Sequence, residues 1–194
     1  MPNTAFAVYR SDSDTGVEQM DYLENEHRNA RENALTDEQK QLLKDTADMK
    51  KNNRVPVDPK KASPAAIEGD DLFYDMKTGD ALAKGHVCIT QEEGRRFITD
   101  EAKGNLKTHD IYIEGKMHAL QLVQKQSSMI IDGYKTAYNY ETQTGSSENV
   151  SGKVDHQYIT GKRMEFYPDK VIIYDGTTTK CSAQSPDYHW QANK

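Results

Sequence analysis

The chain has 194 residues, with 31 acidic against 25 basic side chains, a net charge of −6 and 35% hydrophobic residues. That length buries a core without disulfide support, and with no dominant basic patch nucleic acid is excluded as a partner. No stretch approaches the roughly 18 apolar residues of a membrane helix.

The opening segment, Met1 to Val8, has no basic region and too short an apolar run for a secretion signal. An export signal is therefore expected to be missing from this chain. From about Thr15 to Lys51 the pattern is helical: Val17, Met20, Leu23, His27, Ala30 and Ala34 recur at spacings of three and four. Thr36-Asp37-Glu38-Gln39 fits a capping box, with Thr36 as N-cap and Gln39 reaching back. Leu42, Leu43, Ala47 and Met49 give the next helix a narrow apolar stripe, and Asn52-Asn53 can stop it. Two short helices joined near Leu35 are predicted. Their stripe is thin, so they need a partner surface: the rest of the chain, another subunit or another protein.

The grammar changes near residue 66. Of the 12 glycines only Gly16 precedes it, and Pro56, Pro59 and Pro64 sit just before it. The predicted domains are a helical segment over 1–51, a proline-rich linker over 52–66 and a β domain over 67–194. In the last, short runs of Val, Ile, Tyr, Phe and Thr alternate with polar residues. Turn signals recur at Met76–Asp80, Glu92–Gly94, Thr142–Gly145 and Tyr167–Lys170. No proline lies between Ala65 and Tyr167 to interrupt a ladder.

The β half repeats itself loosely. One unit is Asp71–Asp75, Thr78-Gly79, then Ala83 to Ile89; others run over Thr99–Gly115, Thr136–Val154 and Lys162–Gly176. Each reads as strand, tight turn, strand and corner glycine, the corners being Gly85, Gly115, Gly152 and Gly176. The unequal corner spacing argues against a solenoid. The fold class expected is mainly β, an open β-jelly roll or sandwich of successive antiparallel hairpins, preceded by a short α-helical segment.

Groups for catalysis do not converge in the sequence. His27, His86, His109, His118, His156 and His189 form no metal-binding spacing, and no phosphate-binding or nucleophile loop occurs. No metal, no cofactor and no enzymatic activity are expected. The acidic pairs Asp70-Asp71 and Glu92-Glu93 leave a glycan hydrolase as the lowest-ranked alternative.

The segment Gly69-Asp-Asp-Leu-Phe-Tyr-Asp-Met-Lys-Thr-Gly-Asp-Ala-Leu-Ala-Lys-Gly-His-Val-Cys-Ile-Thr-Gln91 resembles the OstA-like family, with its Tyr-Asp-x-x-Thr-Gly and Ala-x-Gly-x-Val pattern. That is the family of the periplasmic lipopolysaccharide-transport bridge and of the periplasmic domain of the outer-membrane lipopolysaccharide-assembly protein. The resemblance covers about Ile67 to Lys194. It implies a V-shaped jelly roll holding acyl chains between two sheets, and end-to-end joining through edge strands. It also implies a periplasmic location, with lipopolysaccharide or a related lipid as ligand. Other bridge components, or further copies of the chain, are the implied protein partners. The groove residues so implied are Leu72, Tyr74, Val87, Ile89, Phe97, Ile111, Ile113, Leu120, Leu122, Tyr138, Met164, Phe166, Val171 and Ile173. Cys181, ahead of Pro186 and Trp190, matches a disulfide-forming cysteine of the assembly protein; Cys88 stands where the family has an aliphatic residue. The alternative reading is a structural protein that assembles through β edges or binds a partner through its helices.

Overall fold

The computed structural model describes residues 33–53, 65–91, 94–123, 126–168, 170–180 and 190–192. Most of the first expected helix, residues 54–64 of the expected linker, and Cys181 lie outside them. Helix α1 (Asp37–Asn53) starts at the predicted capping box. The Thr36 N–H donates to Gln39 Oε1 at 3.1 Å, and the Gln39 N–H to Thr36 Oγ1 at 3.3 Å. Two N–H groups that a helix start leaves orphaned are thereby satisfied. Leu43 of α1 and Leu35 ahead of it pack on Tyr112 and Ala137, and the Thr144 hydroxyl donates to the Thr46 carbonyl at 2.7 Å. The thin apolar stripe therefore finds a partner in the β half of its own chain.

The strands are β1 (Ala65–Glu68), β2 (Asp71–Tyr74), β3 (Asp80–Gln91), β4 (Arg95–Asn105), β5 (Asp110–Ile113), β6 (Met117–Val123), β7 (Gln126–Asn139), β8 (Thr144–Val154), β9 (Gln157–Phe166), β10 (Val171–Tyr174), β11 (Gly176–Thr179) and β12 (Trp190–Ala192). All twelve belong to one sheet, and every pairing in it is antiparallel. The mainly β fold of successive hairpins is thus what forms.

The sheet is folded double. Its long strands bend near their middles, and its short ones break there. The first leaf holds β1, residues 87–91 of β3, 95–99 of β4, β6, 126–133 of β7, 150–154 of β8, 157–161 of β9, β11 and β12. The second holds β2, residues 80–84 of β3, 101–105 of β4, β5, 136–139 of β7, 144–148 of β8, 163–166 of β9 and β10. Between them runs a crease. The register slips there, between Lys84 and Val87 and between Asp132 and Ala137. Gly85, His86, Lys135, Asn149 and Asp175 all take positive φ along it. Such irregularities bend a strand sharply and increase its twist.

The corner glycines are partly where the sequence puts them. Gly85, at φ 70°, lies in the crease, and an added Cβ would sit 2.3 Å from Asp70 Oδ2. Gly115 lies in the break between β5 and β6, and Gly176 follows Asp175. Gly152 is not a corner. It sits mid-strand, where a Cβ would come within 2.1 Å of the Ile130 carbonyl oxygen, so it marks a close backbone approach instead.

At the end of the second leaf farthest from the crease, three turns of one design stack side by side. Asp75, Asn105 and Asn139 each turn a side-chain oxygen back to accept backbone N–H groups two and three residues on. Positive φ follows at Gly79, His109 and Gln143. The turns are also stitched together. Asn105 Nδ2 donates to the Thr78 carbonyl and to Asp80; Asn139 Nδ2 donates to the Thr108 carbonyl and to Asp110. The Leu106 N–H donates to the Gly79 carbonyl, and the Tyr140 N–H to that of His109. The sequence repeat is real, but its third turn centres on Thr142-Gln143 and not on Thr144-Gly145.

Buried Asn139 serves two turns at once, so Asn139→Ala leaves several polar groups unpaired. Urea denaturation should show about 2 kcal/mol lost from the unfolding free energy. A loss below roughly 0.5 kcal/mol, the range of ordinary surface changes, would show that the turn ladder does not hold the rim.

Candidate functional site

Alternation along each strand sends one row of side chains into the space between the leaves. The first leaf contributes Val87, Ile89, Phe97, Met117, Ala119, Met129, Ile131, Val150 and Ile159; the second contributes Ala83, Ala102, Ile111, Ile113, Tyr138, Met164 and Phe166. Phe97 bridges the leaves, its ring 4.9 Å from Tyr138 and 6.4 Å from Phe166 between centroids. All of these residues are buried.

Eight of the fourteen expected groove residues converge here: Val87, Ile89, Phe97, Ile111, Ile113, Tyr138, Met164 and Phe166. Four others mark the two sides of the roll. Leu72 and Tyr74 share the inward face of edge strand β2, opposite Ala83 and Ala81, yet stay 48% and 41% exposed. Val171 and Ile173, on edge strand β10, are half-buried against the core. The apolar interior thus runs across the strands and reaches solvent at its β2 side. Leu120 is a correction. It pairs with Arg96 and Ile130 on the outer face of the first leaf, while Met117 and Ala119 point inward. Ala119 stands directly opposite Phe97, and its small side chain leaves room for that ring. The side chain of Leu122 lies outside the described residues. Cys88, also on the outer face, has its Sγ 3.7 Å from Thr90 Oγ1.

Sequence reasoning missed a polar cluster at the open end of the fold, opposite the crease. Arg95 and Gln91, at the tip of the first leaf, reach across to Tyr138 of the second. Arg95 Nη1 donates to the Tyr138 hydroxyl at 2.6 Å, and that hydroxyl donates to Gln91 Oε1 at 2.8 Å. Gln91 Nε2 donates to the Tyr140 carbonyl at 3.2 Å. The guanidinium also lies over the Tyr138 ring, 5.6 Å from its centroid, as a cation–π contact. This bridge closes the mouth. The only hint in the sequence is that Gln91 and Arg95 fall in phase with Ile89 and Phe97.

The described histidines are dispersed. His86 pairs with Asp70, His109 with Glu141 and His118 with Asp132, at three separate places. Among the described residues no three His, Cys, Asp or Glu side chains gather to hold a metal ion. Partial burial raises the Asp132 pKa, but bonds from His118 and Lys116 outweigh it and hold the carboxyl below its ordinary value. At the crease, the Asp70 hydrogen bond and then its charge raise the pKa of His86.

No family model and no curated protein matches the sequence. Among solved structures, the chain is similar to LptH of Pseudomonas aeruginosa, described as the LptA-homologous periplasmic component of a lipopolysaccharide transport device. The identity is 12% and the TM-score 0.48, over 69% of this chain and 92% of that one. No described helix is long and apolar enough to cross a membrane.

A raised folded-state pKa means that the His86–Asp70 pair stabilises the fold fully below the unfolded histidine value, about 6.5. That stability is lost as pH rises through the folded value. NMR titration should place His86 above the ordinary value, and Asp70→Asn should return it there. An unshifted His86 in the wild type would remove the pair from the account of the crease.

Proposed function

We propose that this chain is a non-enzymatic lipid-binding module of lipopolysaccharide transport and outer-membrane assembly, working in the periplasm and holding acyl chains between its two leaves. The observation that carries this reading is the shape of the apolar interior. It draws residues from β1 and from β3 to β10, and its face continues in register onto the exposed Leu72 and Tyr74 of β2. A sealed core would end in polar residues there. The Tyr74-Asp75-Met-Lys-Thr78-Gly79 segment, which carries the OstA-like resemblance, forms the first turn of the stitched rim.

Magnitudes favour exchange of an acyl chain for contact between the leaves. The mouth is bridged by a few hydrogen bonds, each contributing on the order of 1 kcal/mol net. Each CH₂ taken from water returns about 0.8 kcal/mol. A chain of about twelve carbons therefore outweighs the bridge, provided that the leaves hinge at the crease and the chain covers the residues they part from.

The alternative reading, a structural protein that joins end to end, is favoured by the edges. Among the described residues, β2 pairs only with β3, and β10 (Val171-Ile-Ile-Tyr174) only with β9. Such edges are templates for another strand, from a second copy or from another bridge component. The two readings are compatible, because joined edges would make the interiors of successive modules continuous.

Titration with a fluorescent lipid A analogue should show saturable binding. Leu72→Glu, at the exposed end of the interior, should weaken it about tenfold, and Ile130→Glu on the outer face should leave it unchanged. No binding by the wild type would end the carrier reading. Separately, light scattering over a concentration series should show mass growing with concentration, and Ile172→Pro in β10 should suppress the growth. A strict monomer at high concentration would end the edge-joining reading.

A further inference from the structure

Arg95 is only 6% exposed. Its Nε has no hydrogen-bond partner, and among the described residues its guanidinium forms no ion pair. A charge so placed costs stability unless something compensates it. The Tyr138 hydroxyl and ring face supply part of the compensation, and among the described residues no anion supplies the rest. The location is informative. Arg95 stands at the mouth, at the same end as the stitched rim, with Phe97 next inward on its own strand face and the apolar interior behind it. An amphiphile entering tail first would bring its head group to this point.

We infer that Arg95, with Gln91 and Tyr138, is a head-group site for an anionic amphiphile, a phosphate-bearing lipid being the chemistry that fits. The guanidinium offers a planar fork of donors matched to phosphate oxygens. Its unpaired Nε is one of them. Tyr138 and Gln91 supply donors that are committed while the mouth is closed, the Tyr138 hydroxyl to Gln91 Oε1 and Gln91 Nε2 to the Tyr140 carbonyl. The bridge is therefore a latch. An arriving phosphate takes over Arg95, releases Tyr138 and frees the two leaves to part as the tail enters. Binding of the head group and opening of the interior become one event. This inference rests on the carrier reading and adds to it a preference for charge.

Calorimetric titration with dodecyl phosphate, dodecyl maltoside and inorganic phosphate, the amphiphiles below their micelle concentrations, tests it. The wild type should bind dodecyl phosphate at least about tenfold more tightly than the maltoside, as expected when an ionic hydrogen bond is gained. The preference should weaken with added salt. Inorganic phosphate alone should bind far more weakly than dodecyl phosphate; equal binding would make this a free-anion site and overturn the assignment. R95M should bind both amphiphiles alike, R95K should keep part of the preference, and R96M, on the outer face, should keep all of it. Should R95M not fold, R95K and the wild-type comparison decide. If both amphiphiles bind equally to the wild type, or R95M keeps the preference, the head-group site fails while carriage stands. If neither amphiphile binds, carriage fails and the site with it.

Discussion

The crease is the constraint on which the rest depends. A sheet with one apolar face must cover that face, and this chain covers it with itself. The long strands turn back across the same line: β3, β7 and β8 do so through residues at positive φ, with slips in register in the β3–β4 and β7–β8 pairings. Each long strand therefore contributes to both leaves, and residues far apart along one strand face each other across the interior. Phe97 and Tyr138 would lie far apart on an unbent sheet, because their strands pair other partners at opposite ends.

The crease also separates what is fixed from what is free to move. At the far end of the second leaf, the stacked Asp75, Asn105 and Asn139 turns tie three hairpins into one rim. Helix α1 covers the outer face of the same leaf, burying Tyr112 and Ala137. The Tyr112 hydroxyl donates to Glu114, and burial followed by that bond raises its pKa well above the ordinary tyrosine value. The second leaf is thus braced on its rim and its back. Facing it across the mouth, the first leaf is held by the Gln91, Arg95 and Tyr138 bonds. Motion about the crease would carry the first leaf against a braced second one.

Much of this was legible in the sequence, for physical reasons. Thr36 and Gln39 form a local motif whose two bonds need no tertiary context, so the helix start was readable to the residue. Alternation placed Val87 with Ile89 and Ile111 with Ile113 on shared faces because the strands are regular there. It failed at Leu120, where His118 and Leu120 compete with Met117 and Ala119 for the inward face. The alternation of Leu120 with Leu122 favours the first set, and the volume of Phe97 opposite Ala119 decides for the second. The turn at Asn105 was half hidden, because His109 takes the positive φ that glycine takes in the first repeat. Of the mouth, only the phase of Gln91 and Arg95 with Ile89 and Phe97 was legible. Its contacts join Arg95 to Tyr138, 43 residues apart, and exist only because the sheet folds over.

The most direct test of the whole account is a distance across the mouth. Spin labels at Arg96 on the first leaf and Glu141 on the rim of the second, both exposed, report it by pulsed electron resonance in a background with both cysteines changed to serine. The account predicts one narrow distance without lipid and a longer one when a phosphate-bearing amphiphile is bound. An unchanged distance in a preparation shown to be lipid-saturated would contradict it, because the ligand would then lie somewhere other than between the leaves.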